Sequence, residues 1–86
     1  MFLHLGGDTV VFMRDIIAIF DYNTAISSND TKEFLSIAKE EGFVRVISED
    51  TPKSFILTEI DKKSVVYLSP ISSTTLKKRS NFVSTL

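Results

Sequence analysis

The chain of 86 residues carries ten Lys and Arg against eleven Asp and Glu, giving a net charge of −1, and it contains no cysteine. This length allows one small domain, and the missing cysteine excludes disulfides and thiolate zinc sites. The balanced charge gives no general support for nucleic-acid binding. Hydrophobic residues make up 43% of the chain, more than so small a domain buries easily, so we expect copies of the chain to cover one another in a homo-oligomer.

The first part of the chain predicts three strands. Residues 2–5 and 9–13 form two strands joined by the turn at 6–8, because Gly accepts positive φ angles and Asp favours turns. Residues 16–20 form a third strand that is apolar on both faces, followed by a polar loop at 21–28. A strand apolar on both faces is either covered twice or lies in an interface. We therefore predict an oligomer interface at its large apolar side chains, Ile16, Ile17, Ile19 and Phe20.

The strongest local signal predicts a helix at about 30–41. Apolar side chains recur at helical spacing within 34–38. Asp30, or the residue before it, is expected to cap the helix, and Asp30 with Glu33 resembles a capping box. Gly42 stands where a glycine in the left-handed conformation would end the helix.

The second half of the chain predicts three further strands, at 43–47, 54–60 and 64–68. A hairpin turn at 61–63 joins the last two, and a short helix at about 72–79 begins at a Ser N-cap, Ser72 or Ser73. Together these elements predict a single α+β domain over residues 1–79, with a mostly antiparallel sheet and a flexible C-terminal tail at 80–86.

No pattern of catalytic, cofactor-binding or metal-ligating residues is visible, so we expect a protein that is not an enzyme and holds no cofactor or metal. His4 is expected to be a half-buried strand residue, because no partner for catalysis or metal binding stands near it in the sequence. No apolar run approaches the roughly 20 residues that span a bilayer. The sequence also lacks a signal-peptide pattern, and we expect a cytoplasmic protein without membrane contact.

Cations that could contact phosphate are few and concentrated at the C-terminal end. Lys77-Lys78-Arg79 is the one basic cluster, and residues 62–86 contain no acid. The cluster either grips a phosphate backbone or belongs to a solvated tail. Arg14 interrupts an apolar stretch and is either a phosphate or carboxylate ligand or a turn residue. Assembly of several copies would repeat each cation and create a multivalent surface.

Three stretches of the chain resemble a known family, at 2–6, 15–19 and 68–79. They are similar to the RemA/RemB family of small bacterial extracellular-matrix regulators, and most of all to its RemB branch. The resemblance covers residues 1–79. The motifs are structural rather than catalytic, so they identify the family more specifically than an activity.

The resemblance implies a cytoplasmic regulator of Gram-positive bacteria. Members of the RemA branch are DNA-binding activators of biofilm-matrix and osmoprotection genes, and they assemble into rings whose basic surface engages DNA. In that branch an arginine near the second strand and an arginine-rich loop before the later hairpin contribute to DNA binding. Arg14 lies close to the first of these positions. The loop here, residues 49–53, retains only Lys53 as a base and carries Glu49 and Asp50.

Two hypotheses about function follow. In the first, the protein forms a ring and binds double-stranded DNA through phosphate contacts from Arg14, Lys53, Lys77, Lys78 and Arg79. In the second, it is an assembly or adaptor protein that does not bind DNA and acts through contacts with a more basic RemA-like paralogue. The acidic pair at 49–50 favours the second hypothesis.

Overall fold

The computed structural model describes residues 1–80, and within them six strands and three α-helices form an α+β fold, which confirms the predicted fold class. The strands are β1 (Phe2–Gly6), β2 (Thr9–Phe12), β3 (Ile16–Asp21), β4 (Val44–Val46), β5 (Ser54–Ile60) and β6 (Lys63–Ser69). The helices are α1 (Tyr22–Ile26), α2 (Asn29–Glu40) and α3 (Ser73–Ser80). β1 and β2 form a separate hairpin, and the main sheet has the order β3-β5-β6-β4. β4 runs parallel to β6, and the other described strand pairs are antiparallel.

The core lies between the hairpin, helix α3 and one face of the main sheet. Its buried apolar side chains are Leu3, Leu5, Val11, Ile16, Ile19, Ile56 and Leu76. Successive residues of a strand point to opposite faces, so Phe55 and Val66 are buried on the other face of the sheet, where α1 and α2 lie. The main sheet is therefore the middle layer of three.

Buried serines fasten the hairpin to the main sheet. The Ser69 hydroxyl donates a hydrogen bond of 2.6 Å to the Leu5 carbonyl and accepts one of 3.0 Å from the Ile71 amide. The Ser54 hydroxyl in turn donates to the Ile71 carbonyl at 2.7 Å. Both serines are fully buried, and a buried hydroxyl is costly unless it is bonded in this way. Gly6 lies against Pro70 in the same contact. Its φ of +116° favours glycine, and a Cβ there would stand only 3.3 Å from the Pro70 ring.

Two predictions about the segment before the main helix are wrong. Residues 21–28 are not a loop, because the Asp21 carboxylate accepts a hydrogen bond of 2.9 Å from the Thr24 amide and caps helix α1. Helix α2 is capped by Ser28 and not by the predicted capping box around Asp30. The turn between α1 and α2 places the Ser28 hydroxyl 3.4 Å from the Thr31 amide and leaves Asp30 in the first helical turn.

The end of α2 follows the prediction from Gly42. Gly42 has a φ of +81°, and its amide donates to the Lys39 carbonyl at 3.1 Å. The Phe43 amide donates to the Ala38 carbonyl at 2.8 Å. These two bonds make a Schellman motif, which satisfies helix carbonyls that would otherwise lack partners. Helix α3 begins as predicted at Ser72, whose hydroxyl accepts a hydrogen bond from the Thr75 amide. It extends to Ser80, one residue into the predicted tail, and residues 81–86 lie outside the described residues.

The turn between β5 and β6 is strained at Lys62, and this strain gives a testable prediction. Asp61 and Lys62 both have positive φ, 51° and 67°, as a type I′ hairpin turn requires. Glycine adopts this conformation without steric cost, so Lys62→Gly should raise the free energy of unfolding by about 0.5 kcal/mol. Lys63→Gly, one residue into β6, should lower it by about 1 kcal/mol. Urea unfolding measures both, and a Lys62→Gly variant as unstable as Lys63→Gly would contradict this interpretation.

Candidate functional site

Helix α3 places two cations of the predicted basic cluster on its solvent side. Leu76 is completely buried and fixes the helix against the hairpin and β3. Lys78 and Arg79, two and three residues further on, are exposed, whereas Lys77 is half-buried. The cations also lie in the last helical turn, where positive charge stabilises the helix dipole. The cluster is thus part of a rigid helix and not of a solvated tail.

Lys77 differs from its two neighbours because it lies near an acid. Hydrogen bonds from the Thr24 amide and hydroxyl hold the pKa of the Asp21 carboxyl below its usual value, and the positive charge of Lys77 lowers it further. Asp21 thus places a negative charge near Lys77. Lys78 and Arg79 are the two more exposed cations of the cluster, and so the two more accessible to an outside anion.

Lys53 lies at the same end of the main sheet as Asp21. The Lys53 carbonyl accepts a hydrogen bond of 3.0 Å from the Tyr22 amide, and the Lys53 amide donates one of 2.8 Å to the Ser69 carbonyl. Its side chain is exposed, and so are Glu49 and Asp50 in the preceding loop. The structure thus brings Lys53 to the same end of the sheet as α3, next to a loop that carries two negative charges.

Arg14 lies at the opposite end of the main sheet. It belongs to a short 3-10 helix, Met13–Asp15, that leads into β3. Its guanidinium carbon stands 4.6 Å from the centre of the Phe12 ring, a cation–π contact. Its Nε is 4.0 Å from the Asp15 carboxylate, and the side chain is 79% exposed. Because β3 has six residues and each rises about 3.3 Å, its Arg14 end lies roughly 20 Å along the strand from its Asp21 end, the end near Lys77.

The five predicted phosphate ligands therefore do not form one surface on a single subunit. The turn between β5 and β6 brings Lys62 and Lys63 to the Arg14 end of the sheet. Lys62 and Lys63 were not predicted from the sequence to join Arg14 in a cationic group. The predicted turn at 61–63 already contained both lysines. Only the register of β3 against β5 shows that this turn lies at the same end of the sheet as Arg14.

An exposed apolar surface covers the outer side of the hairpin. We call it the hairpin patch: Phe2, Val10 and Phe12, with exposed fractions of 62%, 48% and 40%. Phe2 and Phe12 are opposite each other in the register and stack at 4.6 Å between ring centres. Aromatic side chains concentrated on an exposed sheet surface are typical of protein interfaces. The hairpin patch was not predicted from the sequence, because the pairing of Phe2 with Phe12 depends on the register of the two strands.

A second apolar surface lies on the other side of the main sheet. We call it the helix groove: a cavity of about 230 Å³ between α2 and the sheet, formed chiefly by Phe20, Phe34 and Leu57. Phe34 and Phe20 are exposed, and Phe20 stacks on Phe55 at 4.6 Å between ring centres. The apolar stripe of α2 is thus only partly covered by its own sheet.

The structure corrects half of the predicted interface on β3. Ile16 and Ile19 point into the protein's own core and are only 7% and 5% exposed, so they are not available to another copy. Ile17 and Phe20 are exposed. A bulge at Ile17, between Ile16 and Ala18, shifts the alternation of the strand. Ile16 therefore faces the same core as Ile19, whereas Phe20 stacks on Phe55 on the other face of the sheet.

His4 is exposed on β1 rather than half-buried as predicted, and its Nε2 lies 2.7 Å from the Gly7 carbonyl oxygen. Among residues 1–80 no three His, Asp or Glu side chains gather in a way that would hold a metal ion. Within the same residues, no helix has the length and apolar character needed to cross a membrane.

The sequence places the chain in a family of small regulatory proteins. Residues 2–80 match the RemA-like family, described as extracellular matrix regulatory protein A-like, and the chain belongs to this family. The chain is similar to extracellular matrix regulatory protein B of Bacillus subtilis (strain 168), with 42% identity over 83 residues that cover 96% of this chain and 94% of that protein. The resemblance stated from the sequence is confirmed.

Proposed function

We propose that the protein is a cytoplasmic, non-enzymatic regulator that assembles from several copies and binds double-stranded DNA through its phosphate backbone. Membership of the extracellular matrix regulatory family supports control of biofilm-matrix genes. The observation that carries the proposal is the position of Lys78 and Arg79, which stand exposed on a helix anchored by the buried Leu76. The helix backbone beneath these cations is already ordered, so contact with phosphate has to restrict only the two side chains.

Assembly is supported by two apolar surfaces that no residue within 1–80 covers completely. The hairpin patch and the helix groove lie on opposite sides of the main sheet. Contact between two different surfaces of the same chain is head-to-tail, and such contacts close into a ring when the rotation between copies allows it. We infer that the hairpin patch of one copy docks in the helix groove of the next, which would make a homo-oligomeric ring.

DNA binding would depend on that assembly. One subunit offers two exposed cations on α3 and a separate group around Arg14, at the other end of β3 from Asp21. A few phosphate contacts give only weak, salt-sensitive binding. Repeating the α3 cations around a ring makes each further contact intramolecular and raises the overall affinity. Sequence preference would then come from DNA shape and deformability.

Replacement of the α3 cations tests this proposal. We expect Lys77/Lys78/Arg79→Ala to weaken binding to all DNA sequences alike. The slope of log affinity against log salt should fall by about 1 for each phosphate that the variant no longer neutralises. Titration of fluorescent duplexes at several salt concentrations measures both effects. The matched control removes three cations from the α2 and β4 side of the molecule, Lys32, Lys39 and Arg45, and should leave the slope unchanged.

The α3 variant also distinguishes the two ends of the sheet. If Arg14→Ala with Lys62/Lys63→Ala removes binding while the α3 variant retains it, the phosphate surface lies at the Arg14 end. Binding that is insensitive to salt, or that survives both sets of substitutions, would contradict phosphate contact altogether.

A second candidate function is that of an adaptor that does not bind DNA itself. The exposed acids Glu49 and Asp50 beside Lys53 favour it, because they oppose the approach of phosphate and attract a basic protein surface. The adaptor hypothesis predicts binding to a more basic RemA-like paralogue and no binding to DNA. Glu49/Asp50→Gln/Asn would then weaken the contact with the paralogue, whereas under the first hypothesis the same change would strengthen DNA binding.

A further inference from the structure

A cavity on the α2 side of the molecule is separate from the surfaces discussed above. It has a volume of about 280 Å³ and lies where α2 passes over β4 and the end of β6. Its floor is apolar and consists of Leu35, Val44 and Leu68, all of them half-buried. This volume falls just below the roughly 300–1,000 Å³ of typical small-molecule sites.

The rim of this cavity is positively charged. Lys32 and Lys39 lie seven residues apart on one face of α2, about 10 Å along the helix axis. Neither has an acid three or four residues away in the helix, where ion pairs form. Within residues 1–80 neither takes part in a salt bridge. Among the described residues no acid lines the cavity, and Tyr22 is one of its lining residues.

We propose that this cavity binds a small organic anion with an aromatic or branched aliphatic body, such as an aryl or branched-chain carboxylate. The body would rest on the apolar floor, and the carboxylate would accept hydrogen bonds from Lys32, Lys39 or the Tyr22 hydroxyl. The inference does not depend on DNA binding, since none of these residues belongs to either phosphate surface. Such a ligand would give the regulator a way to respond to a metabolite.

Charge complementarity selects this ligand over the other occupants. The helix groove, on the far side of α2, is lined by Phe side chains and one acid and contains no cation, so it suits another copy of the chain better. DNA phosphate matches the lysines but has no apolar group to cover the floor. An anion with an apolar body uses both features of the cavity.

Calorimetric titration of the intact protein, without DNA, with indole-3-acetate and with 4-methylpentanoate tests the proposal. At least one of the two should bind saturably at millimolar or lower concentrations. The matching neutral amide, indole-3-acetamide or 4-methylpentanamide, should bind about tenfold more weakly because it lacks the charge that pairs with the lysines. Inorganic phosphate, which lacks the apolar body, should bind more weakly than either carboxylate.

Lysine variants locate the site. Lys32/Lys39→Gln should weaken carboxylate binding about tenfold and leave amide binding unchanged. Lys62/Lys63→Gln removes the same charge at the β5–β6 turn and should bind the carboxylate like the unmodified protein. Absence of saturable binding by both carboxylates, or an equal weakening in the two lysine variants, would overturn the proposal. The carboxylate titrations contain no DNA, so their outcome tests this proposal separately from the proposal of DNA binding.

Discussion

Leu76→Ala is expected to lower the free energy of unfolding by about 3 kcal/mol, because it deletes a large side chain that no neighbouring group can replace. Leu76 is completely buried, and it is the contact through which α3 joins the core beneath the hairpin. For a domain of this size the change corresponds to a fall in the melting temperature of roughly 15 °C. Urea and thermal unfolding at one fixed protein concentration measure it.

The same substitution should also weaken the proposed DNA binding, because Leu76 anchors the helix that carries Lys78 and Arg79. The control is Thr74→Ala on the exposed side of α3, which should change the stability by less than about 0.5 kcal/mol. A Leu76→Ala protein that unfolds like the Thr74→Ala protein would show that α3 is not anchored in the core as described.

Replacement of the stacked rings of Phe2 and Phe12 should dissociate the proposed oligomer into monomers. Phe2/Phe12→Thr removes the two rings of the hairpin patch and keeps residues that favour strands. Central aromatic residues contribute about 2 kcal/mol or more each to an interface, so we expect the dissociation constant of each subunit interface to rise about a thousandfold. Light scattering should then give a mass close to the 9.7 kDa of one chain.

The folded monomer should survive this change, since neither ring belongs to the buried core and their exposed fractions are 62% and 40%. Circular dichroism of the variant at high dilution checks that it does. The matched control is Glu59/Ser64→Thr, which alters two exposed residues of β5 and β6 outside both apolar surfaces and should leave the mass unchanged. DNA binding should fall together with the mass, and full DNA affinity in a monomeric variant would contradict the multivalent mechanism.

Local sequence signals predicted those elements whose ends are set by local interactions. Gly42 ends α2 through its own positive φ, and the turn at 61–63 is fixed by two residues with positive φ. The hairpin at the start follows from Gly6 and Gly7. These features depend on residues within a few positions of one another, so their physics is contained in a short window of sequence.

Features that depend on distant residues were missed or mispredicted. Nothing in the stretch around Val44 indicates that β4 runs parallel to β6, because that pairing is decided by where α2 returns the chain. The buried bond from Ser69 to Leu5 joins residues 64 positions apart. Burial of Ile16 and Ile19 depends on a bulge opposite β5, which the apolar pattern alone does not reveal.

In the candidate site, too, local features were predicted from the sequence and relations between distant residues were not. The sequence identified the cluster Lys77 to Arg79 and predicted that it belongs to a short helix capped by Ser72 or Ser73. The cap is Ser72. It could not show that Asp21 lies near Lys77, or that Arg14 is at the far end of the sheet. Those relations arise only when β3 is paired with β5 and α3 is folded against β3.

In a single subunit, residues 1–80 leave the hairpin patch and the helix groove exposed. We propose that other copies of the chain cover these two surfaces in the assembly. The most direct test is the molar mass of the unmodified protein in solution, measured by light scattering after size exclusion over a range of micromolar concentrations. We predict one discrete species whose mass is a fixed multiple of 9.7 kDa. A single species of 9.7 kDa at every concentration would contradict the claim.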